Sequence, residues 1–242
     1  MIFAGDAAHQ VSPFGARGAN SGVQDAENLA WKLAAVLAGR APAGLIDSYE
    51  TERGQAADEN IRHSTRSTDF IAPRTATERH FRNAALALAG SAGFARAFVN
   101  SGRLSTATVY DTPLSTPDTA QFGGTAKLGA PMPDAPITNR NGEADWLLRQ
   151  LIHNGTTVLY WDDGAHSAEV QRLAAAMGGT SLVSGQDFTD AGGVVAARLD
   201  AKPGSTWVIR PDQHLAGRFR HFDAARVADA MRRAATGIVA GG

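Results

Sequence analysis

The stretch from Gly5 to Asn20, G-D-A-A-H-Q-V-S-P-F-G-A-R-G-A-N, constrains the fold more than any other part of the chain. The apolar run Met1 to Ala4 leads into it and reads as the end of a buried strand. Gly5 lets a backbone come close to a ligand, and Asp6 would stand at the strand's carboxyl end, the usual ligand edge of an open α/β sheet. Pro13, Gly15 and Gly18 then shape a loop with little side-chain bulk, against which a flat molecule can lie. A helix is expected over residues 20–38, with Asn20 or Ser21 as N-cap and Gly39 as its stop. Val23, Ala26, Leu29, Leu33, Val36 and Leu37 recur at spacings of three and four and predict one buried apolar stripe. The free N–H groups and dipole at the start of this helix favour negative charge in the loop.

Further along, a second helix starts after Asp47 and runs to about residue 68, and Pro73 interrupts. Two more helical pieces cover 78–89 and 94–100, split by Gly90 and Gly93. Residues 101–140 are rich in Pro and Gly and read as an extended connection, with a domain boundary near Gln121. Leu104, Val109, Tyr110, Leu114 and Leu128 within it predict packing on a surface. An alternating pattern follows: helix 146–152, strand 156–161, helix 167–177, strands 181–184, 194–199, 206–210 and 215–219, and helix 222–235. The last two strands would pair through a turn at Pro211-Asp212. Strands alternating with helices predict a small α/β layer.

Composition closes several routes. The 242 residues hold 23 basic and 24 acidic side chains and no cysteine. The balance and the scatter of the basic residues give no argument for nucleic acid or an anionic membrane. Without cysteine there is no disulfide, thiolate zinc site or iron–sulfur cluster. No apolar run approaches the roughly 20 residues of a membrane span, and the start lacks the pattern of a secretory signal, so a soluble cytoplasmic protein is expected. Of the seven histidines, His63, His80, His153, His166, His214 and His221 show no metal spacing, and no metal site is expected. His214 and His221 look isolated from carboxylates. Asp162-Asp163-Gly164 reads as a strand-ending turn. Trp146, Trp161 and Trp207 are candidate core anchors, and the charge run from Glu50 to Arg66 is expected to be a solvated helix face.

The ordered run of these motifs resembles the aromatic hydroxylase family of flavoproteins, the group of para-hydroxybenzoate and phenol hydroxylases. Gly5, Asp6, Ala7, Ala8 and His9 match its G-D-A-A-H, and Pro13, Gly15, Gly18 and Asn20 match its P-x-G-x-G-x-N region with one extra residue between the glycines. Gln24 to Leu33 is similar to Q-D-A-x-N-L-x-W-K-L, and Ser48 to Arg53 to S-Y-E-x-E-R; Gly54 stands where the family often has Pro. Asn100 to Ser105 and Leu128 to Asp134 resemble the connection to a C-terminal thioredoxin-like domain in the larger members, and Arg210-Pro211-Asp212 fits that domain.

The resemblance implies an α/β protein: a helical C-terminal remnant of an FAD-binding domain over 1–120, then a thioredoxin-like α/β domain over 121–242, used for packing or association. It implies FAD as cofactor, with NADPH or NADH as reductant, and an aromatic or polyketide-like small molecule as substrate. The expected cofactor-binding residues are Gly5, Asp6, Pro13, Gly15, Gly18, Ala19 and Asn20. Asp6 would hold the ribityl chain, and the amides near Gly18, Ala19 and Asn20 the electron-rich pyrimidine edge of the flavin. Pro13 would contact the ring through its carbonyl. His9 reads chiefly as a strut for the loop. Arg17 reads either as a group near flavin or substrate or as a solvated loop residue. No residue of the chain is expected to act as a catalytic acid or base. The family's first FAD motif, G-x-G-x-x-G, and its Asp-Gly motif do not occur here, so those parts and most of the substrate domain would precede Met1. The chain would then be a fragment, a split-gene product, or one that pairs with a separate N-terminal-half chain or forms a homodimer. A non-catalytic association module is the other reading.

Overall fold

The computed structural model describes residues 1–12, 17–99 and 106–238. They form two compact units, Met1–Leu29 with Arg53–Thr108, and Ala30–Glu52 with Val109–Gly242; Gln121 lies inside the second. Helices α1 (Gly18–Leu37) and α2 (Asp47–Ile71) each contribute residues to both.

The first unit holds a 3-10 turn at Gly5–Ala7, the early part of α1, the later part of α2, and helices α3 (Ala76–Ala89) and α4 (Gly93–Val99). A capping box starts α3: Thr75 accepts from the Glu78 amide, and the Glu78 carboxylate accepts from the Thr75 amide. Phe81 and Phe98 meet edge-on at 5.7 Å and join α3 to α4.

Two expectations fail here. Residues 1–4 are not a strand, and Ile2 and Phe3 are exposed. An apolar run becomes a strand only when a neighbour takes up its backbone hydrogen bonds, and among the described residues none pairs with it. The expected apolar stripe of α1 is not its inner face either, since Val23 is 68% and Leu37 85% exposed. The buried stripe is Ser21, Asp25, Asn28, Lys32 and Ala35, also spaced by four and three. Helix α2 likewise buries Ser48, Glu52, Arg53, Asn60 and Ser64 along with Tyr49, Ala56 and Ala57. Its charge run is therefore not wholly a solvated face. Both helices turn polar side chains inward because these side chains bond one another, as described below.

The second unit contains every strand among the described residues. Strands β1 (Pro136–Asn139), β2 (Ala144–Trp146) and β5 (Phe188–Thr189) form an antiparallel sheet in the order β2-β1-β5. Strands β3 (Thr157–Tyr160), β4 (Thr180–Val183), β6 (Thr206–Ile209) and β7 (Leu215–Phe219) form the second, in the order β4-β3-β6-β7. There β3 and β4 are parallel, crossed by α5 (Ser167–Ala176), while β6 and β7 run antiparallel to their neighbours. The pleat sorts the core by alternation. Val158, Tyr160, Val183 and Val208 pack with Val170 and Ala174 of α5 and with Val227, Ala230 and Met231 of α7 (Ala224–Thr236). Leu159, Leu182, Trp207 and Ile209 face the other way, onto Ile137, Leu147, Phe188, Val195 and Leu199.

The segment expected as a strand at 194–199 is helix α6 (Val194–Leu199). Its adjacent valines suggest β structure, but Val195 and Leu199 are the buried pair, four apart on one helix face. Left-handed residues Gly193 and Asp200 bound it. Residues 146–152 are the end of β2 followed by a 3-10 turn, Leu147–Leu151, and Trp146 is 46% exposed rather than a core anchor. The extended connection packs as expected at Tyr110 and Leu114, both buried. Gly129, at φ +80°, lies so close to Tyr110 that a Cβ would stand 2.2 Å from its carbonyl oxygen. Leu104 and the Asn100 to Ser105 motif lie outside the described residues.

Candidate functional site

The glycine-led turn at the start of the chain is positioned by one carboxylate. Gly5 adopts φ +60°, a conformation that favours glycine, and its amide donates to Asp25 Oδ2 at 2.8 Å. His9 Nε2 lies 2.7 Å from the same oxygen. Arg53 Nε of α2 donates to Asp25 Oδ1 at 2.6 Å. The Asp25 side chain is wholly buried. Arg53 continues the network, donating to the Ser21 carbonyl at 3.2 Å and to Ser21 Oγ at 3.1 Å. Asn60 Nδ2 reaches Ser21 Oγ at 3.4 Å, and Arg17 donates to Asn60 Oδ1 and to the Thr106 carbonyl. Gly5 passes close to α1: a methyl group on Gly22 would stand 3.5 Å from Gly5 Cα.

The expected site residues fall as follows. Gly5 and Asp6 lie in the 3-10 turn, Asp6 exposed, and Gly18 opens α1 with Ala19 and Asn20 exposed in its first turn. Among the described residues, setting aside its chain neighbours and the backbone of its own helix, no heavy atom lies within 4 Å of where a Cβ on Gly18 would be. Pro13 and Gly15 lie outside the described residues. The first turn of this 20-residue helix carries no acidic side chain, so its amide-rich end keeps its attraction for a negative group. Asp6, Ala19 and Asn20 are exposed and the Gly5 turn lies against α1 at Gly22, which leaves this surface accessible to a ligand with both hydroxyl and anionic parts.

Sequence reasoning missed Asp25 and Arg53 as the supports of this turn. The available signal was the four-and-three spacing of Ser21, Asp25, Asn28 and Lys32, which marks a helix face as clearly as an apolar stripe does.

A second polar network, in the other unit, includes more residues of the same motifs. Glu52 accepts from Lys32 Nζ at 2.9 Å, from Thr112 Oγ1 at 2.6 Å, and from both terminal nitrogens of Arg210 at 2.6 and 2.8 Å. Arg210 also reaches Asp212, which accepts from Trp31 Nε1 at 3.1 Å. His214, expected to be isolated from carboxylates, has Nδ1 3.5 Å from the Asp212 carboxylate and 2.9 Å from its backbone carbonyl oxygen, and stacks on Tyr110 at 4.6 Å. Burial lowers the Lys32 pKa to about 8 despite the opposing Glu52. Burial would raise the Glu52 pKa, but Arg210 and Lys32 outweigh it and hold the carboxyl at about 2. Asp212 is pushed well below the usual carboxylate range, burial being outweighed by Arg210 and then His214. Every charge here already has its counter-charge, so the network holds structure and leaves no group for a ligand.

Among the described residues no cluster of histidines and carboxylates has the arrangement of a metal site, and no helix is long and apolar enough to cross a membrane.

Residues 1–64 match the family model of the FAD binding domain. The chain is 51% identical over 74 residues to a putative polyketide hydroxylase of Streptomyces halstedii, an alignment covering 30% of this chain and 13% of that protein. It is 55% identical over 74 residues to tetracenomycin A2 monooxygenase-dioxygenase of Streptomyces glaucescens, covering 28% and 13%. Among solved structures, the flavin-dependent monooxygenase PieE, in complex with FAD and substrate, is 26% identical at a TM-score of 0.75, covering 96% of this chain and 47% of that one. Aklavinone-11 hydroxylase, in a ternary complex with FAD and aklavinone, is 25% identical at a TM-score of 0.72, covering 97% and 43%. The chain thus spans about half the length of the solved relatives and a much smaller share of the curated ones. Its mixed helix and sheet architecture is that of FAD-dependent monooxygenases.

Proposed function

We propose that this chain, a relative of the FAD-dependent monooxygenases, is the C-terminal portion of an enzyme that hydroxylates an aromatic or polyketide-like ring with FAD and NADPH or NADH. The carrying observation is the open, amide-rich start of α1 beside the Gly5-Asp6 turn, within the residues that match the FAD binding domain. The described residues fit the cofactor: Gly18 offers space, Ala19 and Asn20 are exposed, and no first-turn carboxylate repels the flavin's negative edge.

In this reading Asp6 accepts a hydrogen bond from a ribityl hydroxyl. The amides of Gly18, Ala19 and Asn20 stabilise negative charge on the flavin's pyrimidine edge, and Pro13 and Gly15 are further cofactor-binding residues of this reading. FAD, when bound, supplies the redox chemistry, taking reducing equivalents from the nicotinamide and activating oxygen. The chain's own contribution is to bind, to orient and to stabilise charge; none of its residues acts as the general base. The substrate class follows from the names of the relatives, a polyketide hydroxylase and an aklavinone hydroxylase.

The later region, taken as a thioredoxin-like domain over 121–242, draws support from the β4-β3-β6-β7 order with its single parallel pair and from the packing of α5 and α7 on one face. Its role is association, with a second copy or with the chain that carries the G-x-G-x-x-G motif.

The test is flavin uptake and turnover. Co-expressed with an N-terminal half carrying that motif, the protein is expected to retain FAD through gel filtration and to oxidise NADPH or NADH in the presence of an aromatic polyketide. No flavin uptake by the combined protein would defeat the reading. The 242 residues alone, without the motif that grips the pyrophosphate, are expected to lose FAD on the column.

A further inference from the structure

We infer that Asp25 is a positioning residue for the flavin-contacting turn, a role that rests on the flavin reading above. Three donors from separate parts of the first unit converge on one buried carboxylate: the Gly5 amide at 2.8 Å, His9 Nε2 at 2.7 Å and Arg53 Nε at 2.6 Å. Arg53 is itself fixed by Ser21, one turn before Asp25 on α1. The carboxylate therefore ties α1 and α2 to the two ends of the segment from Gly5 to His9, and Asp6 lies between them.

The arrangement has the logic of an aiming device. A left-handed Gly5 is only one of several conformations glycine adopts readily, so the turn needs a bond to select it, and a hydrogen bond to a buried charge is stronger than one to a neutral group. Arg53 fixes one oxygen and leaves Oδ2 to receive the turn. With Gly5 and His9 both held by that oxygen, the direction of the Asp6 carboxylate relative to the α1 N-terminus is set by Asp25, which need not touch the ligand. His9 Nδ1, on the far side of the ring from Asp25, is buried and has no hydrogen-bond partner among the described residues. An unpaired buried nitrogen costs free energy where it stands, so the ring keeps its place as a strut only while Asp25 holds its other nitrogen.

The test uses the whole chain co-expressed with an N-terminal half carrying the G-x-G-x-x-G motif, and two readouts. Amide hydrogen exchange of the peptide containing Gly5 to His9 reports the turn, and FAD-dependent protection of the same peptide, titrated with FAD alone, reports the site. Asp25→Asn removes the charge and takes from the buried Arg53 the carboxylate it pairs with, so a fold failure could mask the result. The paired variant D25N/R53Q removes both charges, and Asp25→Glu keeps the charge while moving it by one methylene. In D25N/R53Q and in D25E, exchange at this peptide is expected to rise about ten- to a hundredfold while α3 and the β3-β6 core keep their protection, and the FAD concentration for half-protection is expected to rise by at least about tenfold. Unchanged exchange at Gly5 to His9 in both variants would overturn the inference, as would an increase shared equally by the whole chain. FAD protection with the same midpoint in wild type and variants would overturn it too. If FAD protects nothing in the wild type, the flavin reading fails, and Asp25's hold on the turn is still decided by the flavin-free exchange.

Discussion

At the scale of single residues, the two polar networks differ in how replaceable their members are. Arg210 is the centre of the second, bonded to Glu52 through two nitrogens and to Asp212 through two more contacts, all fully buried. Arg210→Met would leave two carboxylates buried without a counter-charge, and is expected to destabilise by about 3–5 kcal/mol. Lys32 donates to Glu52, and burial already works against its charge. Lys32→Met leaves Glu52 with both Arg210 bonds, and is expected to cost distinctly less than Arg210→Met. Urea denaturation of the two variants side by side measures the contrast, and equal losses would show that the charges act as one indivisible group. None of this was evident from residue type. Trp31, Lys32, Glu52 and Arg210 were each visible as parts of motifs, but Glu52 and Arg210 are 158 positions apart, and no local pattern encodes a contact at that distance.

At the scale of elements, the helices were legible to within a few residues, because a repeat of 3.6 and the signals at Gly39, Asp47 and Pro73 are local. What misled was the identity of the inner faces. An apolar stripe is evidence for burial only when the core is apolar, and α1 instead buries Ser21, Asp25, Asn28 and Lys32. Strands were legible where alternating apolar runs met a turn, as at β6 and β7 across Pro211-Asp212, and illegible at α6, where two valines outweighed the Val195–Leu199 spacing. The glycine-led turn of the candidate site was visible as a string, but its support by Asp25 and Arg53 needed the packing of α1 on α2. The same difference between residue type and environment separates the tryptophans. Trp207 in β6 is fully buried with its indole nitrogen unpartnered among the described residues, whereas Trp146 at the end of β2 is 46% exposed. Trp207→Ala is expected to cost about 3–5 kcal/mol through the cavity it leaves, and Trp146→Ala no more than about 1 kcal/mol. Loss of the orphan indole N–H should make Trp207→Phe distinctly milder than Trp207→Ala. Guanidinium midpoints rank the three, and a Trp146→Ala loss as large as that of Trp207→Ala would refute this account of the core.

At the scale of the whole molecule, stability should depend on pH in two windows set by the buried charges. In the folded chain Glu52 gives up its proton near 2 rather than 4.5. Between those values the unfolded chain binds more protons, so stability is present above about 4.5 and is lost as the pH falls toward 2. A shift of this size corresponds to at most about 3 kcal/mol, and the depressed Asp212 adds to it with the same sign. Lys32 acts at the other end of the scale. Its folded-state value of about 8, against 10.5, means that the unfolded chain again binds more protons between the two, so this residue's contribution rises with pH across that range. Thermal melts of the wild type at pH 7, 4 and 3 should therefore show a falling Tm, and Glu52→Gln should flatten the fall while lowering the value at pH 7. Lys32→Met should leave the acid limb nearly intact and remove the rise between pH 8 and 10.5. If the acid limb persisted unchanged in Glu52→Gln, the proton uptake that unfolds the chain would have to occur elsewhere, and the Glu52–Arg210 pair would lose its place as the charge on which the second unit's acid stability depends.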